Sequence, residues 1–237
     1  MNYYNNDYDR GYTEATMSAA DYMARTYRWM AGGLAVTFGV ALLTAATPLF
    51  YLVNSLYLLL TIAELGMVFF LSARIQQMSV GTARGVFLAY SALNGMVLSY
   101  YFLLFSVGTL VMAFLSTAVY FGLMAFYGHT TNRDLTSWGP KLMMGLIAML
   151  ITGLVGSLFG FGIGSVLLYC GIGLVVFMLL TAYDTQKLHQ MYAYYSMDSA
   201  LAEKASVYGA LTLYLDFINI FLFVLRLLGM GGRSNND

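Results

Sequence analysis

Seven apolar runs of roughly 20 residues, the length a helix needs to cross a hydrocarbon core, constrain this chain more than any other feature. They cover Met30 to Ala46, Leu52 to Leu71, Val86 to Leu104, Leu110 to Tyr127, Leu142 to Phe159, Ile163 to Tyr183 and Val207 to Leu228. Backbone N–H and C=O groups in lipid must be satisfied within their own segment, so such runs read as helices. The breaks are turn-like: Thr47-Pro48, Ser79 to Arg84, Ser106 to Thr109, His129 to Lys141 and the Gly-rich Gly160 to Ser165. Pro48 and Pro140, the only prolines, fall between runs, which leaves long unbroken helices permitted nearly everywhere. The expected fold is an all-α membrane protein with seven transmembrane helices.

Composition agrees. The chain is 60% hydrophobic and only 9% charged, against about 25% charged in soluble domains. Eleven basic and eleven acidic residues cannot clothe a soluble surface of this size. Net charge is zero and no run of like charges exceeds two residues, which excludes the basic stripe a nucleic-acid partner requires. Cys170 stands alone, so an intramolecular disulfide, a CxxC redox pair and a thiolate metal cluster are all excluded. No hydrolase elbow, Walker loop or dinucleotide fingerprint is present, and neither an enzyme activity nor a cofactor is expected. His129 and His189 fall in breaks between runs, are too few for a histidine metal site, and are assigned to loop or interface roles.

Lys and Arg accumulate in short cytoplasmic loops. Here Arg10, Arg25 and Arg28 precede the first run, Arg74 and Arg84 flank the second connection, Arg133 and Lys141 the fourth, and Lys187 and Lys204 the sixth. The first, third and fifth connections carry no charge, which puts the N-terminus in the cytoplasm. Arg226 and Arg233 break the pattern: either the last helix crosses fully and tolerates a small positive tail, the favoured reading, or it re-enters. The segment Met1 to Arg28 lacks the apolar core of a signal peptide, and its tyrosines (Tyr3, Tyr4, Tyr8, Tyr12) suit a low-complexity tail better than an interaction patch. The organisation expected is a disordered cytosolic tail over 1–24, a transmembrane domain over 25–229 and a short tail over 230–237. Gly153, Gly156, Gly160, Gly171 and Gly173 have the composition that lets membrane helices approach closely.

Three carboxylates fall within the runs or at the end of one. An ionised acid at membrane depth is costly, so it faces the protein interior and marks a functional site by default. Glu64 is near the middle of the second run, Asp184 is just past the end of the sixth, and Asp216 is about 14 Å into the seventh. The sixth and seventh helices are antiparallel neighbours, so Asp184 and Asp216 fall in the same half of the bundle. Two carboxyl groups sharing a site cannot both ionise cheaply, which makes a proton-sensitive element. Hard cations such as Ca²⁺ compete for the same oxygens, so the two aspartates are also the candidate metal ligands. The structural alternative is that Asp184 ties down a helix end and Asp216 is protonated glue. Glu64 has no obvious partner, and Arg74 reads most simply as an interfacial anchor.

The stretch Thr181-Ala-Tyr-Asp184-Thr-Gln-Lys-Leu188, followed by Gly209-Ala-Leu-Thr-Leu-Tyr-Leu-Asp216-Phe-Ile-Asn219, resembles the Bax inhibitor 1 family of transmembrane Bax inhibitor motif proteins, in its bacterial branch. The resemblance extends to Tyr127-Gly-His-Thr-Thr-Asn-Arg-Asp-Leu135 and Tyr90-Ser-Ala-Leu-Asn-Gly95 and covers nearly the whole chain from about Tyr22. It implies a bacterial inner membrane protein with its last helix central in a ring of six, and a pH-sensitive Ca²⁺ leak gated by protonation of an aspartate pair. It carries the pair onto Asp184 and Asp216, the latch onto Arg74 and a pore-lining or ion-binding role onto Glu64. It also implies an alternative, a non-conducting protein that modulates a membrane-bound AAA protease, for which the polar tail before Arg25 is the sequence motive. An intramembrane aspartyl protease is disfavoured, because the Gly-x-Gly-Asp element expected at the second aspartate is replaced by Leu213-Tyr-Leu-Asp216.

Overall fold

The computed structural model describes residues 17–74, 77–160, 162–195 and 198–231. The tail tyrosines, Arg10 and Arg233 lie outside them. The described residues form α1 (Ala19–Ala45), α2 (Leu49–Ser55), α3 (Tyr57–Arg74), α4 (Val80–Leu104), α5 (Val107–Thr130), α6 (Gly139–Phe159), α7 (Ile163–Tyr195) and α8 (Ser199–Gly231), with a 3₁₀ turn at Thr136–Trp138. Seven of these helices, all but the short α2, are long and apolar enough to cross a membrane.

Local chemistry sets the helix starts. Ser18, Ser79 and Ser106 each cap a helix by accepting from the backbone N–H three residues on, satisfying one of the donors a helix start leaves open. Pro140 sits in the first turn of α6, where its missing N–H is no loss. At the other end of α6, Gly160 adopts φ 80°, a conformation that favours glycine, and stops the helix.

Four boundaries differ from the sequence reading. Helix α1 starts at Ala19, so the end of the expected 1–24 tail is helical, and Tyr22 is fully buried. The run from Leu52 to Leu71 is not one helix: the chain turns at Leu56, and α2 and α3 are separate. The expected break from Ser79 to Arg84 supplies the first turns of α4, and α7 continues past Tyr183 to Tyr195.

Helix α8 packs against α1, α4, α5 and α7, while α3 lies mainly on α4 and α6 mainly on α7. Leu211, Leu213, Tyr214, Ile220, Phe221 and Leu225 of α8 are each essentially inaccessible. With Asp216 and Phe223 also buried, the covered positions span about two-thirds of the helix circumference, far wider than the stripe of an amphipathic helix. By contrast, Leu58, Leu59, Ile62, Phe69 and Phe70 of α3 and Met144, Ile151 and Leu154 of α6 are exposed. So broad an apolar exterior is a lipid-facing surface.

One end of the bundle carries the charges. Glu203, near the start of α8, receives Arg25 of α1 at 2.9 Å and is also paired with Arg84 of α4. Arg84 lies over the Trp29 ring at 5.1 Å. At the opposite end, a Cβ on Gly229 of α8 would collide with Phe105, the residue that closes α4. Helix α8 therefore runs the full length of the bundle, and the re-entrant reading is discarded. Arg226 is half-buried near this opposite end, where its Nη2 donates to the Tyr101 hydroxyl at 2.8 Å.

Candidate functional site

Two polar neighbourhoods meet α8 inside the bundle. On one side, the α8 register turns Asp216 toward α7. Asp216 is 4% exposed, the Thr181 hydroxyl lies beside it, and Asp184 is close enough for its charge to act on it. Its Oδ2 is buried with no hydrogen-bond partner. Asp184 is half-buried one turn before Lys187, whose charge reaches it, and the Lys187 ammonium lies 5.8 Å from the centre of the Tyr183 ring. The close packing of α7 is set by small residues. A Cβ at Gly128 of α5 would overlap the Ala182 carbonyl, and one at Gly139 would lie 2.5 Å from the Tyr183 hydroxyl.

On the other side, Tyr214 faces α1 and α4. Its hydroxyl is 2.6 Å from Thr37 Oγ1, and Thr37 Oγ1 lies 2.8 Å from the Ser91 carbonyl, to which it donates. Thr37 has one proton, already committed to Ser91, so the Tyr214 hydroxyl is the donor to Thr37. The Tyr214 ring packs edge-on against Phe87 and Tyr90 at 5.6 and 5.9 Å. Tyr90 in turn lies beside Glu64. Asn94, one turn further along α4, donates its Nδ2 to Glu64 Oε1. Glu64 thus has a partner, which corrects the expectation that it stands alone. No local sequence pattern signals this contact, because Asn94 lies 30 residues away on another helix.

The structure therefore brings Asp184 and Asp216 together and gives Glu64 a separate setting. Arg74 ends α3 with an exposed guanidinium that donates to Gln77 at 3.1 Å rather than to either aspartate. Among the described residues, no group of three or more His, Cys, Asp or Glu side chains is assembled for a metal. His129 and His189, expected in breaks, belong to α5 and α7 and touch each other. Between them and the 3₁₀ turn, Gln186 pins the connection: its Oε1 accepts from Leu135 N and its Nε2 donates to the Arg133 carbonyl, both at 2.8 Å. In that connection Asp134 accepts from Thr136 N at 2.8 Å. The Thr136 side chain and N–H hold its carboxyl below the usual range.

A largely buried helix packed against four others, with acids on the bundle interior and an apolar exterior, defines a polytopic α-helical membrane protein. The family model described as "Inhibitor of apoptosis-promoting Bax1" matches residues 19–233, and the chain belongs to this Bax inhibitor 1 family. Inner membrane protein YbhL of Escherichia coli K12 is 43% identical over 216 residues, covering 88% of this chain and 91% of that protein. An uncharacterised protein of Deinococcus radiodurans is 43% identical over 210 residues, covering 87% and 89%. One of Rickettsia prowazekii is 38% identical over 212 residues, covering 88% and 89%.

Proposed function

We propose that the chain is a pH-sensitive cation leak of the bacterial inner membrane, with Ca²⁺ as the carried ion, gated by protonation of Asp184 and Asp216. The observation that carries this reading is Asp216 itself: a buried carboxyl with an unpartnered oxygen whose nearest acidic neighbour is another carboxyl on the adjacent helix. Such a pair holds one proton between its members far more readily than none. Losing that proton doubles the negative charge the pair carries and favours a passing cation. Among the described residues no third acid is assembled beside the pair, so it would meet an ion transiently with water and carbonyls, as a leak requires, rather than hold it as a resident metal.

The name of the similar YbhL supports the inner membrane. The clustering of Lys and Arg at one end of the bundle supports a cytoplasmic N-terminus. No catalytic step and no resident cofactor form part of this proposal. The alternative, a modulator of an AAA protease, draws on the N-terminal tail, and nothing among the described residues favours it.

The test is Ca²⁺ flux into liposomes containing the purified protein, followed with an enclosed indicator as external pH is varied. The parent is expected to show a flux that changes with pH, and Asp184→Asn and Asp216→Asn are expected to flatten that dependence. Flux with an unaltered pH profile in both variants rules out the gate.

A further inference from the structure

His129 lies in the last turn of α5 and His189 on α7, 60 residues apart in sequence. His129 Nδ1 and His189 Nε2 are 2.6 Å apart, with ring centres at 4.4 Å and planes inclined by 41°. Both imidazoles line one open cleft at the charged end, together with Asn132, Asp134 and Gln190. His129 is exposed and His189 half-buried, so water and small ions reach the pair. In a plain hydrogen bond, one facing nitrogen keeps its proton and the other accepts it.

We propose that His129 and His189 form a two-histidine site for a borderline divalent transition cation such as Zn²⁺ or Ni²⁺, which clamps α5 to α7. Two ring nitrogens converging on one point from two rigid helices supply a preformed pair of ligands. Zn–N bonds of about 2.0–2.1 Å at a tetrahedral angle set the nitrogens about 3.3 Å apart, so the rings need part by less than about 1 Å. The proton between them moves to His129 Nε2 or His189 Nδ1, leaving both facing lone pairs for the metal. No third His, Cys, Asp or Glu joins the group among the described residues, so water fills the remaining positions. Arg133 and Asp134 both line the cleft with opposing charges, and the Asp134 carboxyl is engaged with Thr136 N, so the imidazoles alone supply the ligands. Imidazole selects Zn²⁺, Ni²⁺ and Cu²⁺ over the hard Ca²⁺ and Mg²⁺, so this site is chemically distinct from the aspartate pair.

The experiment is Zn²⁺ titration calorimetry on the untagged protein in detergent at neutral pH, with gel filtration confirming that each variant is folded. The parent is expected to bind one Zn²⁺ per chain, and His129→Gln and His189→Gln are each expected to weaken it by about tenfold or more. The double variant is expected to be little weaker than either single one. Excess Ca²⁺ is expected not to compete. Asp184→Asn and Asp216→Asn are expected to bind Zn²⁺ as the parent does, which keeps this test independent of the flux reading. Equal Zn²⁺ affinity in the parent and the double histidine variant overturns the site and leaves a simple hydrogen bond between helices.

Discussion

Tyr214 and Asp216 are two residues apart on α8, about 200° around the helix, and they face opposite neighbourhoods. The Tyr214 face meets α1 and α4 through neutral groups whose donors and acceptors match: tyrosine to threonine, threonine to a backbone carbonyl, with aromatic edges filling the remaining space. The network continues past Tyr90 to Asn94 and Glu64, where Asn94 Oδ1 is left without a partner. The Asp216 face meets α7 with a second carboxyl and one threonine, and an oxygen is left over. At these two α8 positions the side chains divide by whether their partners satisfy them: the Tyr214 hydroxyl is paired and one Asp216 oxygen is not. The first face locks helices together, and the second stores an unsatisfied group of the kind that marks a site. The tests below ask whether that division holds.

The largest stability effect is expected at Asn94. Asn94→Leu leaves the inward Glu64 carboxyl without the Asn94 donor and with only the Tyr90 hydroxyl beside it, and we expect a loss of about 2 kcal/mol, since a buried acceptor that loses a partner keeps its desolvation penalty. Adding Glu64→Leu removes the stranded acceptor and should restore most of that loss, because an apolar pair of similar shape is nearly neutral. Thermal unfolding in detergent measures both. A double variant as unstable as the single one would show that Asn94 acts through packing alone, and the contrast between the two faces would lose its basis.

The bundle was legible in the sequence because hydrocarbon demands length and apolarity together, and seven runs meet both. What escaped were features decided by other forces. The turn at Leu56 follows directly on Asn54 and Ser55 inside a mostly apolar stretch, and Ser55 Oγ turns back to donate to the Leu52 carbonyl. Helix α7 outlasts its apolar run because backbone hydrogen bonding does not require apolar side chains, so Gln186, His189 and Tyr192 remain helical. The proximity of Asp184 and Asp216 was readable because consecutive antiparallel helices share an end. The partners of Glu64 and His129 were not, since they depend on the register between helices whose facing positions no local pattern fixes. The N-terminal boundary moved for a similar reason: Ser18 is an ordinary polar residue until it caps Asp21 N, and Tyr22 until it packs against Tyr192 at 5.7 Å.

A middle-sized effect is expected at Tyr214. Tyr214→Phe keeps both edge-on ring contacts but removes the donor to Thr37, whose own bond to Ser91 survives. The expected loss is about 1 kcal/mol, the net worth of one hydrogen bond, read again from thermal unfolding. Calcium flux in liposomes should keep its pH profile if this face is structural. A flux change as large as that of Asp216→Asn would mean that the two faces of α8 act as one network.

The smallest effect is expected where charge is most conspicuous. Glu203 holds Arg25 and Arg84 at the charged end, yet all three side chains are partly exposed, at 35% for Arg25, 34% for Arg84 and 22% for Glu203. Solvent screens the pairs, and holding long side chains in place offsets part of the attraction, so Glu203→Gln should lower stability by about 0.5 kcal/mol, less at high salt. A neutral amide still accepts from one guanidinium, which limits the loss further. Unfolding at low and high ionic strength gives the comparison. If Glu203→Gln destabilises more than Asn94→Leu, the organising polar contact of the bundle is the surface ion cluster, and the interior faces of α8 are secondary to it.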